Sequence, residues 1–386
     1  MTRPPQKRLL ALDGGGLMGL ISLGILQEME GQLRTAHGGH DHFRLRDYFD
    51  YIAGTSTGAI IAAGLMMGRS VKEITDIYLN DGPAMFAPVS WPRRLWSGLS
   101  HKFPRGPIAQ TLKREFTDLS ILELQEQGKL PIDRHLMMVM HNASTDSCWP
   151  VSTNPDAMYN DPERPDCNRN LKLWQLVRAS TAAPSFFPLE EVTLGEKVFK
   201  FQDGGLTAHN NPALKLFQMA TAPSYRLRRS PGSTEFGWER GEDRLLLVSV
   251  GTGYEIDPRD ALRRWGLPLP LLAKYALALL MRGMAIENDV SCRVIGRCVY
   301  GNIIDRELGH MIPSEATDRA FKYVRYDADL SREGLSVLGV AQPKEKLVMD
   351  NVRAMDAFGE IGTAAASTVN VSSHFAGFIP TSKGAS

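Results

Sequence analysis

Three short segments of this 386-residue chain carry residue types whose spacing could do acyl-transfer chemistry. The first is Gly54-Thr55-Ser56-Thr57-Gly58, of the form G-x-S-x-G. A serine on a tight strand-to-helix turn is thrust out of the sheet, where a substrate carbonyl can reach it. Glycines on either side remove side chains that would clash in so sharp a turn. The helix that follows offers unpaired N–H groups and the positive end of its dipole. The pattern alone also fits a serine cap after a glycine turn. Its setting favours the nucleophile: an apolar run from Tyr48 to Ala53 precedes it and an apolar helix from Ala59 to Met67 follows.

The second segment is Asp13-Gly14-Gly15-Gly16-Leu17-Met18-Gly19. Gly14, Gly16 and Gly19 satisfy the dinucleotide fingerprint G-x-G-x-x-G, which also calls for an acidic residue ending a second strand about 20 residues on. Leu33 to Gly39 holds neither acid nor strand. The other use of such a loop is an oxyanion hole, in which bare glycine N–H groups grip a carbonyl oxygen as it becomes an alkoxide.

A serine nucleophile needs a base. None of the nine histidines lies in a recognisable triad motif. Asp203-Gly204-Gly205, after the strand-like Val198 to Phe201, supplies a carboxylate at a strand end. Burial beside the serine would raise its affinity for a proton and make it a usable base. An ordinary Asp-Gly hairpin turn is the plain alternative. Two rival functions stay open at this point: a Ser–Asp–His triad using His310 or His374, and a nucleotide-binding or scaffolding protein built on the Gly14–Gly19 loop.

The elements that must position these residues read as a mostly parallel α/β sheet. Arg8 to Asp13, Tyr48 to Ala53, His135 to His141 and Leu245 to Val250 are strand-like, and Leu20, Leu23, Leu26, Met29 and Leu33 recur at helical spacing. The expected layout is one catalytic domain over 8–361, with a motif-bearing core 8–253, a helical part 254–361 and a flexible tail 362–386. Pro83 to Pro107, Asn154 to Asn170 and Pro223 to Asp243 read as insertions. Leu271 to Met284 reads as a core helix, with cover for an acyl groove as the alternative, and Lys344 to Ile361 as a late helix with one apolar face.

Composition narrows the class. A formal net charge of +1 gives no reason to expect nucleic acid. The four cysteines form no CxxC pair and suggest free thiols in a reducing compartment, with no metal site. The apolar run Leu9 to Leu12 is too short for a signal-peptide core, and Leu267 to Ile286 is broken by Pro268, Pro270, Lys274 and Arg282. A cytoplasmic protein is expected. The loop bearing Trp91, Arg93, Arg94 and Trp96 reads first as a solvated basic loop with tucked-in aromatics, with peripheral membrane contact as the alternative.

Together the motifs resemble the patatin-like lipid acyl hydrolases and phospholipases. The resemblance is carried by Asp13 to Gly19 with its helix, Gly54 to Gly58, Arg178 to Pro188, Asp203 to Pro212 and Ser249 to Gly253, over roughly residues 8–253. It implies a three-layer α/β/α sandwich and a Ser56–Asp203 dyad acting on a lipid or other acyl ester without metal or cofactor. It further implies an oxyanion hole at the N–H groups of Gly15 and Gly16, with Gly14 and Thr57 beside them. Ala182-Ala183-Pro184 would pack close to the site. Some bacterial members answer to signalling nucleotides, so a regulatory small molecule is part of the implied set. One departure stands out. The family usually carries Lys or Arg at the position of Met18, which leaves phospholipid and other acyl esters both open as substrates.

Overall fold

In a computed structural model, residues 5–87, 102–224, 237–254, 269–304, 307, 309–311 and 318–380 are described, with backbone alone for 269–278. Side-chain alternation along the strands decides how the layers stack. In β1 (Lys7–Leu12), Leu10 and Leu12 enter one buried cluster while Leu9 and Ala11 enter another. The same split divides β2 (Tyr51–Thr55), β3 (His135–Asn142) and β7 (Leu245–Val250). A strand apolar on both faces needs helices on both sides. One face is covered by α1 (Gly19–Ala36), α2 (Thr57–Met66), α3 (Val71–Met85) and α4 (Leu173–Ser180). The other carries α5 (Ala213–Thr221) and α6 (Leu269–Ile295). The architecture is a three-layer α/β/α sandwich.

Strands β4 (Ser147–Ser152), β5 (Glu190–Leu194), β6 (Lys197–Asp203), β8 (Arg297–Tyr300) and β9 (Lys322–Tyr326) complete the sheet. Its order is β5-β6-β3-β2-β1-β7-β9-β8, with β4 paired to β3. The run from β3 to β8 is parallel; β4, β5 and β6 add antiparallel pairs. Strand β3 acts as a template for the site. Since β4 occupies one edge of β3 from Met137 to Asn142, β2 and β6 share the other. Thr55 pairs with Val139 and Asp203 with the next residue, Met140. The end of the serine-bearing strand therefore meets the end of the aspartate-bearing one.

The C-terminal third departs from the sequence expectation. It is not only helical: β8 and β9 extend the sheet, and Tyr323 and Val324 enter opposite core clusters. Arg325 in the middle of β9 disguised that strand, because its guanidinium is paired at the strand end rather than solvated. The late helix, α7, runs over Met355–Ala366 rather than from Lys344. The tail expected to be loose from residue 362 is docked as far as Pro380: Phe375 and Phe378 are buried. The Phe378 carbonyl accepts hydrogen bonds from Arg8 Nε at 3.3 Å and the Tyr48 hydroxyl at 3.2 Å. Of the stretch Leu271 to Met284, expected as a core helix, Leu279, Leu280 and Met284 are exposed on α6. The stretch from Pro83 begins inside α3. Trp91, Arg93, Arg94 and Trp96 lie outside the described residues.

Candidate active site

The turn between β2 and α2 holds Ser56 at φ 54°, ψ −121°, a backbone region that side-chain-bearing residues rarely enter. Close contacts exclude side chains on the glycines that flank it. A Cβ on Gly54 would fall 2.0 Å from the Gly58 carbonyl oxygen, and one on Gly58 would fall 2.2 Å from that of Leu12. The backbone is pinned from two other elements. Ser56 N–H donates to Ser180 Oγ at 3.0 Å, and Ser180 Oγ donates to the Val139 carbonyl at 2.6 Å. Thr55 Oγ1 donates to the His209 carbonyl at 2.7 Å, tying the elbow to the loop after β6.

Ser56 Oγ donates to Asp203 Oδ2 at 2.6 Å. Gly205 N–H donates to the other carboxylate oxygen at 2.8 Å, and Asp203 N–H donates to the Ala182 carbonyl at 3.0 Å. The Ala182-Ala183-Pro184 stretch is thus drawn to the site. Gly204 lets β6 close onto β3, where a Cβ would sit 2.2 Å from the Val139 carbonyl oxygen. Burial pushes the Asp203 carboxyl up to about 6, against the pull of the Ser56 hydroxyl, the Gly205 N–H and the Arg178 charge. A carboxylate so placed binds a proton far more readily than one in water. It touches the serine directly, with no imidazole between them. His374 Nδ1 is instead hydrogen-bonded to the Tyr326 hydroxyl at 2.7 Å.

The glycine loop packs against this pair, since a Cβ on Gly14 would lie 3.1 Å from Ser56 Cβ. Its N–H groups divide sharply. Gly14 N–H donates to the Asn210 carbonyl at 3.1 Å, Leu17 N–H to the Met349 carbonyl at 2.8 Å, and Met18 N–H to the Gly15 carbonyl at 3.2 Å. Gly15 and Gly16 N–H have no acceptor among the described residues. The expectation that Gly14 joins an oxyanion hole is therefore corrected, because its donor is already committed. The Thr57 hydroxyl is also taken, by the Tyr78 hydroxyl, which leaves only its backbone N–H. Gly19 lets α1 start against α2, its missing Cβ falling 2.6 Å from Thr57 Oγ1.

Several residues here lie in segments that carry the family resemblance, yet nothing in the sequence assigned them a role. Ser180 orients the elbow, Asn210 occupies the Gly14 N–H, and Thr252 Oγ1 donates to the Gly14 carbonyl at 3.0 Å. Behind the loop, Arg325 donates to both oxygens of Asp13, at 2.9 and 2.6 Å, fixing the residue that opens it. Asp13 and Arg325 are far apart in the chain, so no local pattern announces them.

The sequence profile described as Patatin-like phospholipase matches residues 10–217. A Vibrio cholerae protein named cGAMP-activated phospholipase is 31% identical over 327 residues, spanning 81% of this chain and 85% of that protein. The chain belongs to the patatin-like phospholipase family. An Escherichia coli protein, also named cGAMP-activated phospholipase, is 30% identical, with 56% of this chain and 56% of that protein covered. Patatin-like protein 2 of Arabidopsis thaliana is 30% identical, with 64% of this chain and 59% of that protein covered. The patatin-like match begins within β1 and contains the glycine loop, Ser56 and Asp203, whereas Thr252 and Arg325 lie beyond it. Among the described residues, no helix is long and apolar enough to cross a membrane.

Proposed function

We propose that this patatin-like chain is a lipid acyl hydrolase of the phospholipase A or lysophospholipase type, working through an acyl-Ser56 intermediate. The 2.6 Å contact between Ser56 Oγ and Asp203 Oδ2 carries the reading. Asp203 takes the hydroxyl proton as Ser56 Oγ attacks the ester carbonyl carbon. The N–H groups of Gly15, Gly16 and Thr57 receive the developing oxyanion. As the tetrahedral adduct collapses, the C–O bond to the alcohol breaks and Asp203 returns the proton to the leaving oxygen. Asp203 then deprotonates a water that attacks the acyl-serine, and Ser56 regains its proton.

The same reading includes contact with a lipid surface during turnover. It also includes control by a small molecule, since two relatives are named as activated by cGAMP. A fluorophosphonate probe tests the core of it. Covalent labelling that disappears in Ser56→Ala is expected, and labelling that persists there would overturn Ser56 as the nucleophile. Adding cGAMP to the labelling reaction tests the regulatory part, with a faster rate expected.

A further inference from the structure

Strand β9 carries an arginine between two buried apolar residues, Val324 and Tyr326, and Arg325 is itself buried. Taking a guanidinium out of water is costly, and replacing a buried ion pair by apolar side chains is often neutral or stabilising. Stability is therefore a poor account of Arg325. Geometry is a better one. In the sheet, Arg325 pairs with Ser249 of β7, whose other partner is Ala11 of β1. The side chain reaches across β7 to the residue that follows β1. Its Nη1 donates to Asp13 Oδ1 at 2.9 Å and to Ser249 Oγ at 2.7 Å. Its Nη2 donates to Asp13 Oδ2 and to Asp327 Oδ2, each at 2.6 Å. One planar fork thus fixes three side chains at the ends of three neighbouring strands.

All three side chains lead to Gly14. Asp13 is its neighbour in the chain. Ser249 Oγ donates to Asn211 Oδ1 at 3.3 Å, and the adjacent Asn210 gives its carbonyl to Gly14 N–H. Asp327 Oδ1 accepts from Gly253 N–H at 2.8 Å, and the adjacent Thr252 donates its hydroxyl to the Gly14 carbonyl. Thr252 also sets the room at the next residue, since a Cβ on Gly15 would fall 2.2 Å from its Oγ1. We infer that Arg325 is a positioning residue of the acyl-transfer site. Through Asp13, Ser249 and Asp327 it holds the glycine loop so that the N–H groups of Gly15 and Gly16 face the reacting carbonyl. Arg325 lies beyond residue 217, where the patatin-like match ends, so the last third of the chain completes the site. The inference rests on the proposed Ser56 reaction for its effect on turnover, whereas its effect on the loop can be read without turnover.

Kinetics and hydrogen exchange on the full chain test it together. Arg325→Lys keeps a positive charge, but a single ammonium cannot span both Asp13 oxygens, Ser249 and Asp327. It should lower kcat for 4-nitrophenyl butyrate about 10²-fold, counted per site labelled by the fluorophosphonate probe, with KM within about twofold of wild type. A trifluoromethyl ketone mimics the tetrahedral adduct: its carbonyl carbon bonds to Ser56 Oγ, its oxygen takes the negative charge, and Asp203 takes the proton. Its affinity should fall by the same factor as kcat. Exchange at the bonded amides of Gly14, Leu17 and Met18 should speed at least about tenfold, while residues 51–59 exchange as in wild type. Arg293→Lys is the control for disturbing a buried pair as such. Among the described residues Arg293 donates to Asp289, Asn302 and His310, not to the glycine loop, so this variant should change neither kcat nor loop exchange. Unchanged kcat, a change in KM alone or unchanged loop exchange in Arg325→Lys overturns the inference, and so does an equal kcat loss in Arg293→Lys. If Arg325→Lys does not fold, Asp13→Asn, which keeps one acceptor, is read in the same way, with a kcat loss of about tenfold expected. Wild-type hydrolysis by Ser56→Ala would instead sink the catalytic reading, while exchange of the loop amides would still judge the hold of Arg325 on the loop.

Discussion

Two neighbouring turns in this molecule join parallel strands to helices, and they treat their backbone in opposite ways. After β2 both backbone groups of Ser56 are used up. Ser56 N–H is bound by Ser180, and the Ser56 carbonyl accepts from Ala59 and Ile60 N–H at 2.9 and 3.3 Å. With the backbone locked, the side chain projects, and the turn holds a strain of about 1–3 kcal/mol at one residue. After β1 the side chains are gone instead. Gly14 is tied down by Asn210 and Thr252, while among the described residues the N–H groups of Gly15 and Gly16 have no acceptor. One strand–helix turn thus presents the proposed nucleophile and the other the proposed oxyanion donors. What separates them is which backbone groups the surroundings consume.

That comparison breaks first at the dyad. Ser56→Ala and Asp203→Asn should each lower kcat/KM by a factor on the order of 10⁴ or more, since residues acting as a unit fail together. Ester hydrolysis by purified variants checks this, and a double variant should be little worse than either single one. The glycines come next. Gly58→Ala puts its methyl against main-chain atoms of Leu12 that cannot move aside, so a stability loss of about 4 kcal/mol or more is expected from thermal or denaturant unfolding. Gly15→Ala meets the Thr252 side chain instead, 2.2 Å away. It should stay folded and lose about 10²-fold in kcat, with part of that regained in Gly15→Ala/Thr252→Gly. Equal destabilisation by Gly15→Ala and Gly58→Ala would show that the two turns are alike after all.

Much of this contrast was legible in the sequence, because both turns are local. A glycine pattern between an apolar strand and an apolar helix spells the elbow and the loop without any distant partner. The division of labour among the loop glycines was not legible. Gly14 reads like its neighbours, and only the fold places the Asn210 carbonyl against its N–H. The Asp13–Arg325 pair was hidden for the same reason, as its members are brought together by β1, β7 and β9 lying side by side. The docked tail was missed because Phe375 and Phe378 are single aromatics among small polar residues, and their packing sites belong to remote elements.

The electrostatics of the dyad offer a finer test. If the carboxylate form of Asp203 is the base, as proposed, and burial lifts its titration to about 6, kcat/KM should rise with pH through about that value. Arg178 supports the carboxylate. It is fully buried, its group stacks 5.0 Å from the Phe187 ring, and its Nη2 donates to the Pro188 carbonyl at 3.3 Å. Its nearest acid, Glu190, is held by Arg105 through two hydrogen bonds of 3.0 and 2.7 Å, leaving Arg178 incompletely neutralised. Arg178→Met should therefore move the acid limb to higher pH, and Arg178→Lys should largely restore it. A loss of kcat with an unmoved limb would mark Arg178 as a packing residue only.

The smallest effect concerns what the dyad costs the fold. Asp203 titrates near 6 in the folded chain against an ordinary 3.8, so folding favours its neutral form. That contribution to stability is fully present below pH 3.8 and is lost as pH rises through 6. Holding the charged form at pH 8 should cost on the order of 2–3 kcal/mol, a figure already net of the Ser56 and Gly205 hydrogen bonds. Asp203→Asn carries no such charge. Its stability relative to the wild type should be nearly level at pH 4 and should improve progressively up to pH 8, read from urea unfolding at each pH. Ser56→Ala should show no comparable gain, because alanine inherits the same positive φ and leaves the carboxylate buried. If both variants gained equally, the cost would belong to the strained turn, and the contrast between backbone strain at Ser56 and buried charge at Asp203 would collapse.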